Sequence, residues 1–331
     1  MKRSYYLLAF TIPLSISFSF YFQGVWSYLA IFYAFAFLPA LELVLPLMHT
    51  NHPSSVEDSW KSSVYFDLIL WFMVPIQYGL LIYFCQLMEG HQLELFERIG
   101  LITAMGLGCG VMGINVAHEL GHRNNFAEQS MAKLLLSTSL YWHFFIEHNK
   151  GHHKNVSTPL DPESSHLNET LYAFWYRSIK DSFLSAFRID ASEMVKALIL
   201  QILLLVLIFV LWGKIALVCF IASAMIGIIL LESVNYIEHY GLSRREIAPL
   251  RYEKVRVIHS WNADNPLSRA VLFDLSRHSD HHAHANRKYQ LLRSEESSPQ
   301  MPTGYPGMIL LALIPPLWFK VMNQKIQQFK F

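Results

Sequence analysis

The chain has 331 residues, 53% of them hydrophobic and only 15% charged, with a formal net charge of +1. Soluble domains average about 45–50% apolar and about 25% charged residues, so this composition excludes a disordered, collagenous or coiled-coil chain and argues against a soluble one. A charge so near zero leaves little basis for attraction to nucleic acid. Cys85, Cys109 and Cys219 lie far apart in apolar runs and read as small buried side chains, neither disulfides nor zinc ligands.

A bilayer core takes about 20 mainly apolar helical residues to cross, with a range of about 17–25. Six stretches meet or approach that length: 5–22, 25–47, 64–88, 99–117, 197–213 and 215–236. None shows strand-like alternation, so they are expected as helices. Pro39, Pro46 and Pro75 are expected to kink them. The first stretch follows Met-Lys-Arg as a signal peptide would, but no small-x-small cleavage site follows its bulky end, and it reads as a retained span. With six spans, one side of the membrane holds only short turns bearing Arg98 and Lys214, out of 26 Lys and Arg residues. The other side is therefore the cytoplasm. The expected fold is an all-α integral membrane protein of a single domain, 1–331, with a helical cytoplasmic cap made of 118–196 and 237–331. Residues 307–319 are apolar but too short to span, and are expected in the interface or on the cap.

Sixteen histidines are the anomaly in the composition, and most fall in four clusters on the expected cytoplasmic side. His118 and His122 stand four apart, so both rings can lie on one helical face and reach one metal. Alone, this HExxH pattern also marks zinc metalloproteases, with the glutamate as base. His148, His152 and His153 form the second cluster, His239 the third, and His278, His281 and His282 the fourth. Nine imidazoles exceed what one zinc takes, about four ligands, and suit two metal ions. Neutral imidazole serves zinc, copper, iron or nickel, so ligand type alone does not choose among them.

Glu119, Glu147, Glu238 and Asp280 adjoin these histidines, and Asn115 lies about one turn before the first cluster. Metal-bound histidines commonly donate their second ring N–H to such groups, so these five are candidates to support the site, with direct ligation by a carboxylate left open. Glu232 is a further candidate buttress, whereas Glu42 and Asp67 are expected to pair across helices. His49, His52, His91, His143, His166, His259 and His284 fit no shared spacing and are taken as solvated or packing residues.

The runs HELGHR (118–123), EHNKGHHKNVSTPLDPES (147–164), NYIEHYGL (235–242) and LSRHSDHH (275–282) resemble those of the integral-membrane alkane 1-monooxygenases, relatives of the membrane fatty-acid desaturases and hydroxylases. The likeness continues through WNADNPLSRAVLF (261–273) and MPTGYPGMILLALIPPLW (301–318). It implies a non-haem di-iron centre on the cytoplasmic side of a six-helix bundle, held by His118, His122, His148, His152, His153, His239, His278, His281 and His282. It also implies O2 as co-substrate, an alkane delivered from the bilayer of the bacterial inner membrane, and a primary alcohol as product. The chain carries no GxGxxG motif and no paired cysteines, so no flavin, haem or nicotinamide is expected on it. The resemblance points to rubredoxin, or a ferredoxin-like protein, with an NAD(P)H-dependent reductase as the electron supply. Lys150, Lys154, Arg244, Arg245, Arg251, Arg287 and Lys288 are candidates to steer such a donor, although positive-inside bias also explains them.

Three rivals stand beside terminal alkane hydroxylation. One stays within di-iron chemistry: a methyl hydroxylase of aromatic or branched hydrocarbons, or an acyl-lipid desaturase. A zinc metalloprotease using Glu119 would leave His239 and His278–His282 dispensable. A transporter or metal-binding protein without catalysis would take up metal and yield no oxygenated product.

Overall fold

Backbone amides in apolar surroundings must pair within their own segment, and the apolar runs of this chain do so as helices. The computed structural model describes residues 2–90 and 93–328. Among these residues, five helices are long and apolar enough to cross a membrane: α1 (Arg3–Phe22), α2 (Gly24–Glu42), α3 (Val64–Glu89), α4 (Leu95–Gly121) and, after the amphipathic α5 (Leu171–Ile189), α6 (Ala191–His239). The expected 25–47 stretch is cut short. Its helix stops at Glu42, whose carboxylate accepts from the backbone N–H and hydroxyl of Ser268 at 2.6 and 3.1 Å. Pro46 therefore lies beyond the helix and kinks nothing.

The expected fifth and sixth stretches join in α6, whose 49 residues are broken only at Gly213 (φ 76°, ψ −175°). A straight helix of that length would extend about 74 Å. Its two ends nevertheless lie together: the N-cap Asp190 accepts from Lys150 Nζ at 3.0 Å, while His239 packs its ring 4.9 Å from that of His152. Gly213, in a conformation that glycine adopts without steric cost, turns the chain back on itself. The first half leaves Ile202, Val206, Phe209 and Val210 exposed, as lipid-facing positions would be.

The second half of α6 packs closely on α4 through small residues, as helices in membranes do. A Cβ built on Gly227 would stand 2.6 Å from that of Cys109. At the opposite end of the bundle, Glu97 caps α4 by accepting from its own N-cap Glu94 at 2.9 Å and also from Gly24 N–H at 2.8 Å, tying α2 to α4. Three π turns interrupt the helices: 33–37 in α2, 109–114 in α4, and 148–152 in the second histidine cluster. The first lies beside Pro39, which removes the N–H that would bond the Phe35 carbonyl.

The segment carrying the fourth histidine cluster is pinned by two buried arginines. Arg277 donates to Asp264 at 2.9 Å and to the carbonyls of Leu292, Met48 and Thr50. Arg269 donates to Asp274 at 2.6 Å, and Asp274 also accepts from the Tyr6 hydroxyl of α1. α7 (His278–Ala283) follows directly. Then α8 (Tyr305–Ala312) turns Tyr305, Met308 and Ile309 inward, while Leu310, Leu313 and Ile314 face outward ahead of Pro315. The 307–319 segment thus packs on the protein and presents an apolar outer face. The three cysteines are buried and unpaired, as expected.

Gly227→Ala should lower the unfolding temperature in detergent, by a loss of about 1–3 kcal/mol from overpacking. Gly79→Ala, where no atom lies within 4 Å of the new Cβ, should not. Equal unfolding temperatures would contradict the close α4–α6 contact.

Candidate metal centre

Nine histidine rings from four separate segments converge in the interior as two adjoining groups. His118, His122, His148, His153 and His281 form one, and His152, His239, His278 and His282 the other; within each, one nitrogen per ring lies within 4.8 Å of all the rest. The rings meet through Nε2. In the five-histidine group, His153 Nε2 is 3.0 Å from that of His148 and 3.2 Å from that of His281. In the four-histidine group, the His282–His278, His278–His239 and His152–His282 separations are 2.8, 3.2 and 3.2 Å. The Nε2 atoms of His118 and His122 are buried without a hydrogen-bond partner. Metal–imidazole bonds of about 2.1 Å at right angles would separate their nitrogens by about 3.0 Å. The donor set therefore fits two cations.

The π turn explains how the second cluster serves both groups. On an α-helix His148 and His152, four apart, would share a face. In the π turn 148–152 the repeat lengthens, so His148 pairs with His153, five residues on, and His152 turns to the other group. α7 makes the complementary division with ordinary spacing: His278 and His282 join one group and His281 the other.

Burial, and then the neighbouring histidines, hold His148, His153, His281 and His282 well below the ordinary imidazole range, which is the neutral, ligating form. Burial would lower His152 too. The Asp161 carboxylate on its Nδ1, at 2.9 Å, overrides that and raises it. Glu163 is raised well above the carboxylate range by burial and by the nearby Glu147, Glu232 and Asp161.

Of the five candidate supporting residues, Glu238 meets a clustered ring directly, with Oε1 3.2 Å from His278 Nδ1, and it accepts from the Tyr305 hydroxyl at 2.5 Å. Asn115 lies on a cavity wall beside His118. The other three are engaged elsewhere. Glu119 accepts from Arg123 at 2.6 Å and from Tyr289 N–H at 3.3 Å, because a residue one step from His118 faces another side of the helix. Glu147 accepts from Ser185 at 3.3 Å. Asp280 holds Arg287, His284 and the Arg293 N–H. Glu232 accepts from Tyr141 and Ser178, and Asp67 from Lys288.

Asp161 and Glu163, which spacing did not single out, do reach the rings. Glu163 Oε2 lies 3.6 Å from His148 Nδ1 and 3.8 Å from His152 Nδ1. Their only signal was two acids within the run that follows the second cluster. Among the remaining histidines, His143 packs against Tyr141 and Phe183, and His284 bonds Asp280. His49 bonds Asp264, His52 stacks near Trp60, His166 pairs with Glu169 and His259 accepts from Arg256 N–H. His91 lies outside the described residues.

An apolar cavity runs up to the centre. Phe35, Leu38, Leu107, Val111, Leu231 and Val234 are among its walls, and His118, His148 and His278, drawn from both groups, close one part of it. Two of the π turns, in α2 and α4, contribute to that wall.

The sequence is similar to those of known proteins. The fatty acid desaturase family model matches residues 98–311. An alkane 1-monooxygenase of Alcanivorax borkumensis is 34% identical, covering 92% of this chain and 79% of its own length. One from Pseudomonas aeruginosa is 35% identical over 99% of this chain and 92% of its own. The hydroxylase component of a xylene/toluene monooxygenase from Pseudomonas putida is 29% identical, over 92% and 83% respectively.

The lowered histidines set a pH dependence for the metal-free protein. Unfolded, they take protons below about pH 6.5; folded, they do not, so stability is full above that pH and is lost progressively as pH falls. His152 acts oppositely, and so do Glu147 and Glu163, whose raised carboxyls stay protonated in the fold and ionise on unfolding above about pH 4.5. Below about pH 5.5 the histidines charge fully on unfolding while the unfolded carboxylates begin to protonate, so unfolding temperatures of metal-free protein should fall from pH 5.5 to pH 4.5, and a flat profile would contradict the neutral assignment.

Proposed function

The chain belongs to the alkane 1-monooxygenases, within the wider fatty acid desaturase family, and on that premise we propose that it uses two iron ions and O2 to hydroxylate the terminal methyl group of alkanes. It is an oxidoreductase with several membrane-type helices. The reaction is alkane, O2, two electrons and two protons to primary alcohol and water. One observation carries the reading: an apolar cavity is lined by rings of both histidine groups.

An unactivated methyl group offers neither an acidic proton nor a leaving group, so side chains acting as bases or nucleophiles have no purchase on it. Iron held between the Nε2 atoms supplies the O2 activation that side chains lack. His118, His122, His148, His153 and His281 would hold one ion, and His152, His239, His278 and His282 the other. Asp161 fixes Nδ1–H on His152, which leaves its Nε2 lone pair pointing inward, and Glu238 stands 3.2 Å from His278 Nδ1, where it favours a proton on that atom. Tyr305, donating to Glu238, holds that carboxylate in place. The walls exclude water and align an alkyl chain with its end at the rings. The metalloprotease alternative lacks its base, since Glu119 is bound by Arg123.

The electrons must come from outside the chain, and we assign that role to a rubredoxin-type protein with its reductase. His122 and His153 are partly exposed and border a polar surface recess with Lys133, Asn149 and Lys150, where such a donor would approach. Arg244, Arg287 and Lys288 are spent on the Glu253 carbonyl, Asp280 and Asp67, and Lys133 and Lys150 are likewise paired with Glu193 and Asp190, so none of these is a free charge for steering. If the two halves of α6, turned at Gly213, each cross, the crossings number six, which would set both termini and the metal centre on the cytoplasmic side of the inner membrane.

Membranes supplied with donor, reductase and ¹⁸O2 should convert alkanes to primary alcohols carrying one label. His148→Ala and His281→Ala should lose most metal and activity. Products only from toluene-type methyl groups, or only alkenes, would instead support the aromatic or desaturase alternative. Val111→Phe, which fills part of the cavity, should shift the preferred alkane to shorter chains in a competition assay, and an unchanged profile would place the substrate elsewhere.

A further inference from the structure

We infer that Glu163 is a positioning residue that ties the two metal groups together, through one carboxylate shared by a ring of each. His148 belongs to the five-histidine group and His152 to the four-histidine group. Glu163 Oε2 faces Nδ1 of both, at 3.6 and 3.8 Å. The carboxyl has no measurable exposure, and apart from the neighbouring Glu147 carboxyl neither of its oxygens has a hydrogen-bond partner; His148 Nδ1 also lacks one. A carboxyl in a dry interior requires partners: the Glu147 carboxyl lies beside it, His148 Nδ1 is the unspent ring donor facing it, and His152 Nδ1, already bonded to Asp161, holds its proton within electrostatic reach. The chemistry is self-consistent, because an imidazole that gives Nε2 to a metal carries its proton on Nδ1, the atom that faces Glu163.

The neighbouring Asp161 makes the contrast. It bonds His152 at 2.9 Å and anchors the loop by accepting from Glu163 N–H at 3.1 Å and from Ser164 at 2.5 Å. Asp161 thus orients a ring of one group, whereas Glu163 faces a ring of each. Ordering His148 by metal in one group fixes the carboxylate that the other group also uses, so the two loadings are linked.

This inference rests on the two-metal reading, and the test separates them. Metal-free protein in detergent is titrated with Co(II), read by its visible absorption, in two parents: His122→Ala, which retains the four-histidine group, and His239→Ala, which retains the five-histidine group. Adding Glu163→Gln should weaken Co(II) binding about 10–100-fold in both parents. Asp161→Asn should do so only in the His122→Ala parent. Glu163→Asp should restore part of the loss in each. Where Gln is not tolerated, Asp alone must weaken both by a lesser factor. Weakening in one parent only, or in neither, with the metal-free unfolding temperature unchanged, overturns the shared role. Parents that bind no Co(II) overturn the two-metal reading itself, and this inference with it.

Discussion

Imidazole nitrogens pressed together in a dry interior are the constraint on which the rest of this molecule depends. His282 and His278 bring Nε2 atoms to 2.8 Å, and His118 and His122 aim theirs inward with nothing to receive them. Buried polar atoms without partners cost free energy that few folds can spare, and lone pairs facing lone pairs repel. A cation in each group would remove both penalties at once. Metal binding and formation of the native core are then parts of one equilibrium.

The surrounding structure delivers rings to that point from segments distant in the chain. α4 brings two, the π turn and the residue after it three, the end of α6 one, and α7 three. Each carrier is fixed by bonds unrelated to metal: Glu97 and Gly227 set α4 against α2 and α6, Gly213 returns α6 to the centre, and Arg269 and Arg277 lock the segment before α7. The same elements shape the cavity. α2, α4 and α6 give its apolar walls, and the π turns in α2 and α4 lie within them, as π turns often do at functional sites.

Hydropathy made the helices legible, because lipid and core both demand long apolar runs. It misplaced the end of α2, since Leu43–Leu47 look membrane-like while Glu42 is already committed to Ser268. The nine histidines were legible because metal ligation needs one residue type at helical spacing. How they divide was not: α-helical geometry pairs His148 with His152, and only the π turn transfers His152 to the other group. Adjacency misled for Glu119 and Asp280, which point away from the rings beside them. Asp161 and Glu163 approach through a loop whose return path leaves no periodic trace, including a positive φ at Ser157 and the Ser164–Asp161 bond.

The central claim is that these two histidine groups hold two irons. The most direct measurement is the metal content of the detergent-purified protein, by mass spectrometry against protein concentration. About two irons per chain is the predicted result. About one zinc per chain, with iron absent, would contradict it.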